Sequence, residues 1–286
     1  MAKLRVSSTM NLLHCSTDNI VEYIRQSFLF YKKLGFDAAD FKMRFLDEMG
    51  EHWEADIETV RKYSEEIGIY SEICHLPFGV STKSSKEEEE AFSVKMHQAI
   101  EGAKLLGVKH AVIHPNSITE RVEEYDAAKC RDAVLKHLEP YVEHANKIGL
   151  SLAVELMRIV PKSFPAARFC HNPEELCDIA DTLGIGVCWD FGHAHCNGIV
   201  QSEGLRYVGK RLKALHVSDS FVNGKDHLPP FTGTVDWADA MKGLKETGFE
   251  GLLNYEVNTK QQPAAVQESF AQYLIDVAGE LNRMLE

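Results

Sequence analysis

The stretch NKIGLSLAVEL, residues 146–156, holds the pattern that decides the fold. Its first residues end an amphipathic helical pattern that begins near residue 134 and repeats its apolar positions every three or four residues. Gly149 supplies the left-handed backbone conformation that commonly ends a helix. The apolar run 151–156 then predicts a buried strand, which ends at the carboxylate of Glu155. Helix, glycine, strand and a terminal ionisable residue thus make one unit.

The same unit recurs along the whole chain. Glycines stand before strands in other segments, as in KKLGF, EEIGI, KLLGV and DTLGI. Apolar runs that predict strands occupy eight segments: LRVSST (4–9), FDAADF (36–41), YSEICHLP (70–77), HAVIHP (110–115), SLAVEL (151–156), GVCWDFGH (186–193), LKALHVSD (212–219) and LLNYEV (252–257). Amphipathic helical patterns fill the intervals, and Pro140 is expected to kink one of these helices or to end its first half.

Eight strand–helix repeats of about 30 residues predict an α/β fold, a single (β/α)8 TIM barrel. No G-x-G-x-x-G follows the first strand, which argues against an open sheet that binds a dinucleotide. No Pro-rich or Ser-rich linker and no change of composition divides the chain, so residues 1–286 are expected to form one TIM-barrel domain.

The composition sets further bounds on function. The chain has 286 residues, 31 of them basic and 43 acidic, and a net charge of −12 disfavours nucleic acid as the ligand. No stretch approaches the roughly 20 apolar residues that a membrane helix needs, and the N-terminus lacks the apolar segment of a signal peptide. The seven cysteines form no C-x2-C pair. We therefore expect a cytoplasmic protein with reduced thiols and no membrane or nucleic-acid partner, and a homo-oligomer is compatible with the sequence.

Ionisable residues follow the predicted strands from the third to the eighth. Strand ends in a TIM barrel meet at one mouth, where active sites are built. The residues at or just beyond these ends are His75, His114, Glu155, Asp190 with His193, His216 with Asp219, and Glu256. A single buried histidine is common in a core. Consecutive strands that all end in His, Asp or Glu are hard to explain by folding alone, because crowded charges are costly unless they are paired or bind a metal.

Three of these residues, Glu155, Asp190 and Glu256, are carboxylates that would repel one another in an empty pocket. A divalent cation removes this repulsion, and the imidazole of His216 completes a set of three oxygen ligands and one nitrogen ligand. This set suits Mn²⁺, Co²⁺, Mg²⁺ or Zn²⁺ and does not choose among them. The sequence therefore predicts one divalent metal ion at the mouth of the barrel.

Five segments near these strand ends carry a recognisable pattern: AVEL (153–156), CWDFGHAH (188–195), LHVSDS (215–220), DHLPPFTGTVDW (226–237) and NYEV (254–257). They resemble the signature segments of the xylose isomerase-like TIM barrel superfamily, which includes hydroxypyruvate isomerases, inosose isomerases and dehydratases, ketose 3-epimerases and DNA repair enzymes of the endonuclease IV type. The resemblance implies the metal ligands Glu155, Asp190, His216 and Glu256. It also implies substrate contact by His193, and contact with substrate or with additional zinc ions by His75 and His114.

In the ketose epimerases that the chain resembles, two metal-bound glutamates exchange protons with the substrate. Carried over, Glu155 and Glu256 become the acid/base pair of an isomerase or epimerase that acts on a small sugar, keto-sugar or polyol through an enediolate. Arg158 and Lys225, near predicted strand ends, are expected either to hold a phosphate or carboxylate of the substrate or to be ordinary surface charges. No glycine-rich phosphate cradle follows strand seven or eight, which favours an unphosphorylated substrate.

Two other functions stay open. A trinuclear-zinc DNA repair nuclease uses most of the same positions, including His227 in GKDHLPP, which in a sugar enzyme is a candidate substrate contact. The nuclease pattern requires an acid two residues before this histidine, where the chain has Lys225, and Asp226 lies one residue too late. The other alternative is a non-catalytic sugar-binding protein or a subunit that needs a partner for activity, and the complete set of metal ligands argues against it.

Overall fold

Eight parallel strands form the central sheet, and each coincides with one of the eight predicted runs. The computed structural model describes residues 3–78, 84–115, 120–121, 125–159, 166–167, 169–222, 224–259 and 262–286. The strand bounds are β1 (Arg5–Thr9), β2 (Ala38–Lys42), β3 (Tyr70–His75), β4 (His110–Ile113), β5 (Ser151–Glu155), β6 (Gly186–Asp190), β7 (Leu212–His216) and β8 (Leu252–Tyr255). The predicted single (β/α)8 barrel is confirmed.

The strands pair in chain order, and the last strand returns to the first. β8 pairs in parallel with β1, where Arg5 lies opposite Leu252. β7 and β8 meet through a parallel bridge between Val217 and Tyr255, and the Val217 N–H donates to the Asn254 carbonyl oxygen over 2.7 Å. This closure brings the C-terminal ends of β7 and β8 together at the mouth of the barrel.

Helices connect the strands. In the described parts of the chain they are α1 (Ile20–Leu34), α2 (Phe45–Met49), α3 (Trp53–Ile67), α4 (Lys86–Leu106), α5 (Ala127–Ile148), α6 (Pro173–Leu183), α7 (Phe191–Cys196), α8 (Gln201–Val208), α9 (Trp237–Thr247) and α10 (Gln267–Met284). The predicted helix-ending glycines at 35, 68, 107, 149, 184 and 248 all have φ between 66° and 91°. None of the helices in these described ranges is long and apolar enough to cross a membrane.

Pro140 lies inside α5, which continues through it as one helix. A proline removes one backbone hydrogen bond and crowds the preceding turn. The apolar face of α5 is buried on both sides of the proline, at Val134, Leu138, Tyr141 and Ala145, and this packing stabilises the helix across the defect. Of the two expected outcomes, the structure excludes an end of the helix at Pro140.

Small and apolar side chains fill the barrel interior below its mouth. One residue from each of seven strands forms an inner cluster: Ala38, Ile73, Val112, Ala153, Cys188, Ala214 and Leu252. A larger apolar cluster contains the other buried side chains of the strands together with those of the helices. Because side chains alternate along a strand, the position two residues after each inner-cluster residue points into the barrel again, closer to the mouth.

A second, antiparallel sheet joins Glu120–Arg121 to Ala166–Ala167. Strands of two residues carry no recognisable periodicity, so the sequence did not predict them.

Candidate active site

A ring of polar side chains lines the mouth of the barrel, one step above the inner cluster. The ring members that follow an inner-cluster residue by two positions are Asp40, His75, His114, Glu155, Asp190, His216 and Asn254. Glu256 lies two residues further along β8 than Asn254, on the same side. Strand alternation therefore brings most of the ionisable residues predicted from the sequence onto one inner surface.

The four predicted metal ligands lie together. One ligand atom from each of Glu155, Asp190, His216 and Glu256 lies within 4.8 Å of the others. His216 Nδ1 is 2.9 Å from Glu256 Oε2, 3.2 Å from Glu155 Oε1 and 3.9 Å from Asp190 Oδ2. Glu155, Asp190 and His216 are buried, whereas the Glu256 side chain retains 23% exposure. We call these four residues the carboxylate–histidine cluster.

Each carboxylate of this cluster has one oxygen without a hydrogen-bond donor in the described part of the chain. Glu155 Oε2, Asp190 Oδ2 and Glu256 Oε2 are buried and have no hydrogen-bond partner among the described residues. Such atoms cost free energy unless another group satisfies them. Three carboxylates and one imidazole that converge on one point are ligands that a divalent cation takes in proteins, so these residues fit a single metal ion.

Neighbouring positive charge stabilises the buried carboxylates of the cluster. Burial acts to raise the pKa of Glu155, yet the field of His216 and His114 holds that pKa well below its ordinary value. Burial raises the pKa of Asp190. Burial acts to lower the pKa of His216, but the neighbouring Cys188 side chain and the Glu256 carboxylate raise it well above its ordinary value. Protonated imidazoles thus supply charge that a divalent cation would otherwise supply.

Two further predicted histidines contact Glu155. His114 Nε2 lies 2.7 Å from Glu155 Oε2 without the angles of a hydrogen bond. His193 Nδ1 lies 3.3 Å from Glu155 Oε1 and 2.8 Å from the Leu156 carbonyl oxygen, to which it can donate. The His193 backbone N–H donates to Asp190 Oδ1 over 2.7 Å, because Asp190 is the N-cap of α7. Asp190 therefore gives one oxygen to the helix and leaves Oδ2 to the cluster.

Asp40 of β2 belongs to the polar ring, and the sequence did not predict it. Its fully buried carboxylate accepts hydrogen bonds from Thr9 Oγ1 at 3.0 Å and from Asn254 Nδ2 at 2.9 Å, and lies 2.9 Å from His75 Nδ1. The signal that identifies Asp40 is the alternation within β2, where it follows the inner-cluster residue Ala38 by two positions.

His75 connects Asp40 to the carboxylate–histidine cluster. Its ring stacks on that of His216, with centroids 4.4 Å apart, and its Nε2 lies 3.5 Å from Glu256 Oε1. Asp40, His75 and His216 form a second group whose ligand atoms lie close enough to hold a metal ion.

The loop after β7 brings His227 to the mouth. His227 Nε2 is 3.7 Å from Glu256 Oε1. Its φ of 53° lies in the left-handed region, which few residues other than glycine adopt and which is enriched at functional sites. With Asp190 and His193 it forms a third group that can hold a metal ion.

The two cations predicted to contact substrate differ in their surroundings. Arg158 Nε lies 2.6 Å from Asp226 Oδ2, so an acid from the loop after β7 balances its charge. Lys225 is exposed, and its carbonyl oxygen accepts a hydrogen bond from the Phe221 N–H in the same loop. Contact of either residue with substrate stays a prediction.

Asp219, which also follows β7, serves the local fold. Its Oδ1 accepts hydrogen bonds from the backbone N–H groups of Ser220 and Val235, and its Oδ2 accepts one from Trp237 Nε1 over 3.1 Å. A carboxylate with both oxygens engaged in this way fixes the loop to the start of α9 and does not act as a ligand at the mouth.

A cavity of about 1090 Å³ opens beside the carboxylate–histidine cluster. Glu256 and His227 line it on the side of the cluster, and Lys42, Arg44 and His14 line it on the side of β1 and β2. The cavity gives a small molecule access to Glu256.

A TIM barrel with ionisable residues gathered at its C-terminal mouth defines the class of this protein. The chain belongs to the xylose isomerase-like TIM barrel family, whose sequence profile matches residues 28–276. An uncharacterised protein of Sinorhizobium fredii is 38% identical over 225 residues, which cover 71% of this chain and 71% of that protein. An inosose isomerase of Bacillus velezensis is 25% identical over 168 residues, 55% of this chain and 56% of that protein. The predicted family is confirmed.

The fold is also found in solved structures along its whole length. The structure of D-psicose 3-epimerase in the presence of D-fructose has a TM-score of 0.75 and 14% identity, and the match covers 98% of this chain and 99% of that one. At this identity the likeness concerns the fold.

Proposed function

We propose that this protein is a divalent-metal-dependent isomerase or epimerase of a small sugar, keto-sugar or polyol. The observation that carries the proposal is the convergence of Glu155, Asp190, His216 and Glu256, three of which have a buried oxygen without a partner among the described residues. Family membership, the inosose isomerase relative and the epimerase with the same fold support this class of reaction. Fold by itself does not specify function, so the site is the main argument.

The carboxylate–histidine cluster would hold one ion of Mn²⁺, Co²⁺, Mg²⁺ or Zn²⁺. Such an ion, when bound, stabilises the negative charge that develops on substrate oxygens during proton transfer. The chain's own contribution is to fix the ligands: α7 orients Asp190 through its capping hydrogen bond, and His193 and His114 lie against Glu155.

Glu155 and Glu256 are the proposed acid/base pair. Isomerisation and epimerisation next to a carbonyl both require a base that removes a proton from carbon and an acid that returns one through an enediolate. The Glu256 side chain is 23% exposed and lines the cavity, whereas the Glu155 side chain is 2% exposed and contacts His114 and His193. This asymmetry supports a role for Glu256 on the cavity side of the substrate and for Glu155 on the buried side.

The histidines of the mouth are the proposed substrate contacts. His75 Nε2 and His114 Nδ1 are buried and have no hydrogen-bond partner among the described residues, and an imidazole nitrogen can donate to or accept from a hydroxyl group. His193 and His227 lie against each other edge to face, with centroids 5.4 Å apart, and complete the polar lining.

Solvent exchange tests the proposal directly. The protein is incubated in D₂O with ketoses, inososes and hydroxypyruvate, and deuterium incorporation into each compound is measured. We expect exchange at a carbon next to the carbonyl of at least one compound, loss of this exchange after chelation and recovery with a divalent cation. Exchange that survives complete metal removal would contradict the metal dependence. A panel that shows no exchange with any of the four metals would contradict the reaction class.

A trinuclear-zinc DNA repair nuclease is the second candidate. It is favoured by two further groups in the mouth that can each hold a metal ion, namely Asp40 with His75 and His216, and Asp190 with His193 and His227. The pairing of Asp226 with Arg158 and the net charge of −12 count against it. Zinc near three per chain together with DNA cleavage would establish the nuclease, whereas the isomerase requires only one metal ion.

A further inference from the structure

The cavity beside Glu256 contains a lysine that proton transfer at carbon does not require. Lys42 lies two residues after Asp40 on the inner side of β2 and pairs in register with His75. His75 Nε2 is 3.5 Å from Glu256 Oε1, so Lys42 occupies the strand position beside a residue that contacts Glu256. Lys42 therefore lines the cavity on the side of β2 that adjoins the carboxylate–histidine cluster.

Arg44 extends this positive charge along the cavity wall. It is exposed, and its guanidinium forms no ion pair within the part of the chain that the structure describes. Two acidic residues of the same cavity, Asp18 and Glu48, also line a separate outer groove with Glu22 and Asp56, and a third, Glu256, belongs to the carboxylate–histidine cluster. Between them the cavity wall contains one lysine and one arginine, Lys42 and Arg44, which are the side chains that would attract a negatively charged group.

The opposite side of the mouth offers no comparable pair of cations in the described chain. Arg158 is neutralised by Asp226, and Lys225 is exposed on the loop after β7. The lysine and the arginine that line the cavity itself, Lys42 and Arg44, both lie on the side of β2.

We propose that the substrate carries an anionic group, a phosphate or a carboxylate, away from its reacting carbons, and that Lys42 and Arg44 bind this group. The inference rests on the proposed function and names its substrate class. Hydrogen bonds from charged donors to an anion are among the strong ones in proteins, and lysine and arginine together satisfy several of its oxygens. Two side chains can do this without a glycine-rich loop, so the absence of such a loop after β7 or β8 does not require an uncharged substrate.

Matched substrates test the inference by solvent exchange in D₂O. The panel contains neutral ketoses, the same ketoses with a terminal phosphate, and the same ketoses with a terminal carboxylate, so the two anionic sources are distinguished. We expect kcat/KM for one anionic series to exceed that for the neutral series by about 100-fold. K42M and R44M should each lower kcat/KM for the anionic series by about 10-fold or more through KM, and K42R should restore most of the loss. Neutral ketoses should change by less than about threefold, and K136M, at an exposed position of α5 outside the cavity, should resemble the wild type.

Two results would overturn the inference: equal exchange of neutral and anionic ketoses by the wild type, or an equal loss for both series in K42M. Binding of inorganic phosphate, followed by the thermal shift it causes, provides a readout without turnover. Phosphate should stabilise the wild type and K136M but not the double variant K42M/R44M. If the phosphate shift depends on Lys42 and Arg44 while no compound exchanges, the anion subsite is supported and the isomerase reaction is not. A phosphate shift that persists in the double variant contradicts the subsite.

Discussion

The carboxylates at the two ends of the barrel have opposite kinds of surroundings. At the N-terminal floor, Glu72 receives one hydrogen bond from Arg5 on each of its oxygens and a further one from Lys109 Nζ at 2.6 Å. At the mouth, Glu155, Asp190 and Glu256 each keep a buried oxygen without a partner among the described residues. The floor therefore satisfies both oxygens of its acid by hydrogen bonds from an arginine and a lysine, whereas the mouth surrounds its acids with histidines and leaves one oxygen of each acid without a hydrogen-bond donor.

In TIM barrels the N-terminal end of the strands contributes mainly to stability, and the C-terminal end holds the active site. The difference between the two ends of this barrel agrees with that rule. A cavity of about 670 Å³ lies at the floor, lined by Arg5, Glu72 and Lys109 among others, and it contains none of the predicted site residues. The cavity at the mouth is larger, at about 1090 Å³, but a cavity at each end means that the presence of a cavity does not identify the functional end. The hydrogen bonding of the carboxylates distinguishes the two ends.

The largest effect is expected at Glu256. E256Q keeps the size of the side chain and removes its ability to exchange a proton, so kcat should fall by about 10²–10⁴-fold. Burial acts to raise the pKa of Glu256, but His216 and His75 hold it well below its ordinary value, so loss of this charge should lower the melting temperature while the fold is retained. E250Q on the floor side is the matched control and should retain full activity. An active E256Q would exclude this residue from proton transfer.

A substitution at Asp190 is expected to remove metal binding while the fold is retained. Asparagine retains an Oδ1 that can cap α7 and replaces the unpartnered Oδ2 with an amide that does not bind a cation. A divalent cation at about 100 times its Kd should stabilise the wild type by about 2.7 kcal/mol, through binding to the folded state alone, and should not stabilise D190N. The measurement is thermal unfolding with and without the cation, and an equal shift in both proteins would place the ion elsewhere.

A substitution at Glu72 should lower stability and leave activity unchanged, the reverse of the effect expected at the mouth. E72Q leaves Arg5 and Lys109 without their acid and should lower the free energy of unfolding by about 1–2 kcal/mol, a value reduced by the solvent exposure of both cations. Sugar isomerase or epimerase activity should not change. E58Q, at an exposed position of α3, is the control for loss of a glutamate. Loss of activity in E72Q with an unchanged unfolding free energy would reverse the assignment of the two ends.

The smallest effect concerns the pH dependence of this floor contact. Hydrogen bonds from Arg5 and Lys109, with Arg5 the larger cause, lower the pKa of Glu72 from 4.5 to about 2. Because the folded state lowers this pKa, the stabilisation is complete above pH 4.5 and is lost as the pH falls toward about 2. The difference in unfolding free energy between the wild type and E72Q should therefore shrink across this interval. A difference that stays constant down to pH 2 would show that the ion pair is not its source.

Much of the fold was predictable because its signals are local. The segment from Gly149 to Glu155 contains a helix end, a strand and a site residue within seven positions, and similar glycines precede other strands. Strand ends in a barrel share one mouth, so the gathering of Glu155, Asp190, His216 and Glu256 followed from the fold without side-chain detail.

The missed features depend on contacts between distant segments or on the inner face of one strand. Asp40 lies within a short alanine-rich run whose inward side becomes evident only when β2 is placed beside β3. The pairing of Arg158 with Asp226 joins the loops after β5 and β7, and no sequence pattern links them. The continuity of α5 across Pro140 depends on tertiary packing, which overrides the local preference.

Metal content is the most direct test of the account. Wild type, D190N and E72Q are stripped with a chelator, reconstituted with Mn²⁺, Co²⁺, Mg²⁺ or Zn²⁺ in turn, freed of excess ion and measured by elemental analysis. The account predicts a metal content near one per chain for the wild type and E72Q with at least one of these ions, and a large loss for D190N. No retained metal in the wild type, or equal retention in D190N, would contradict it.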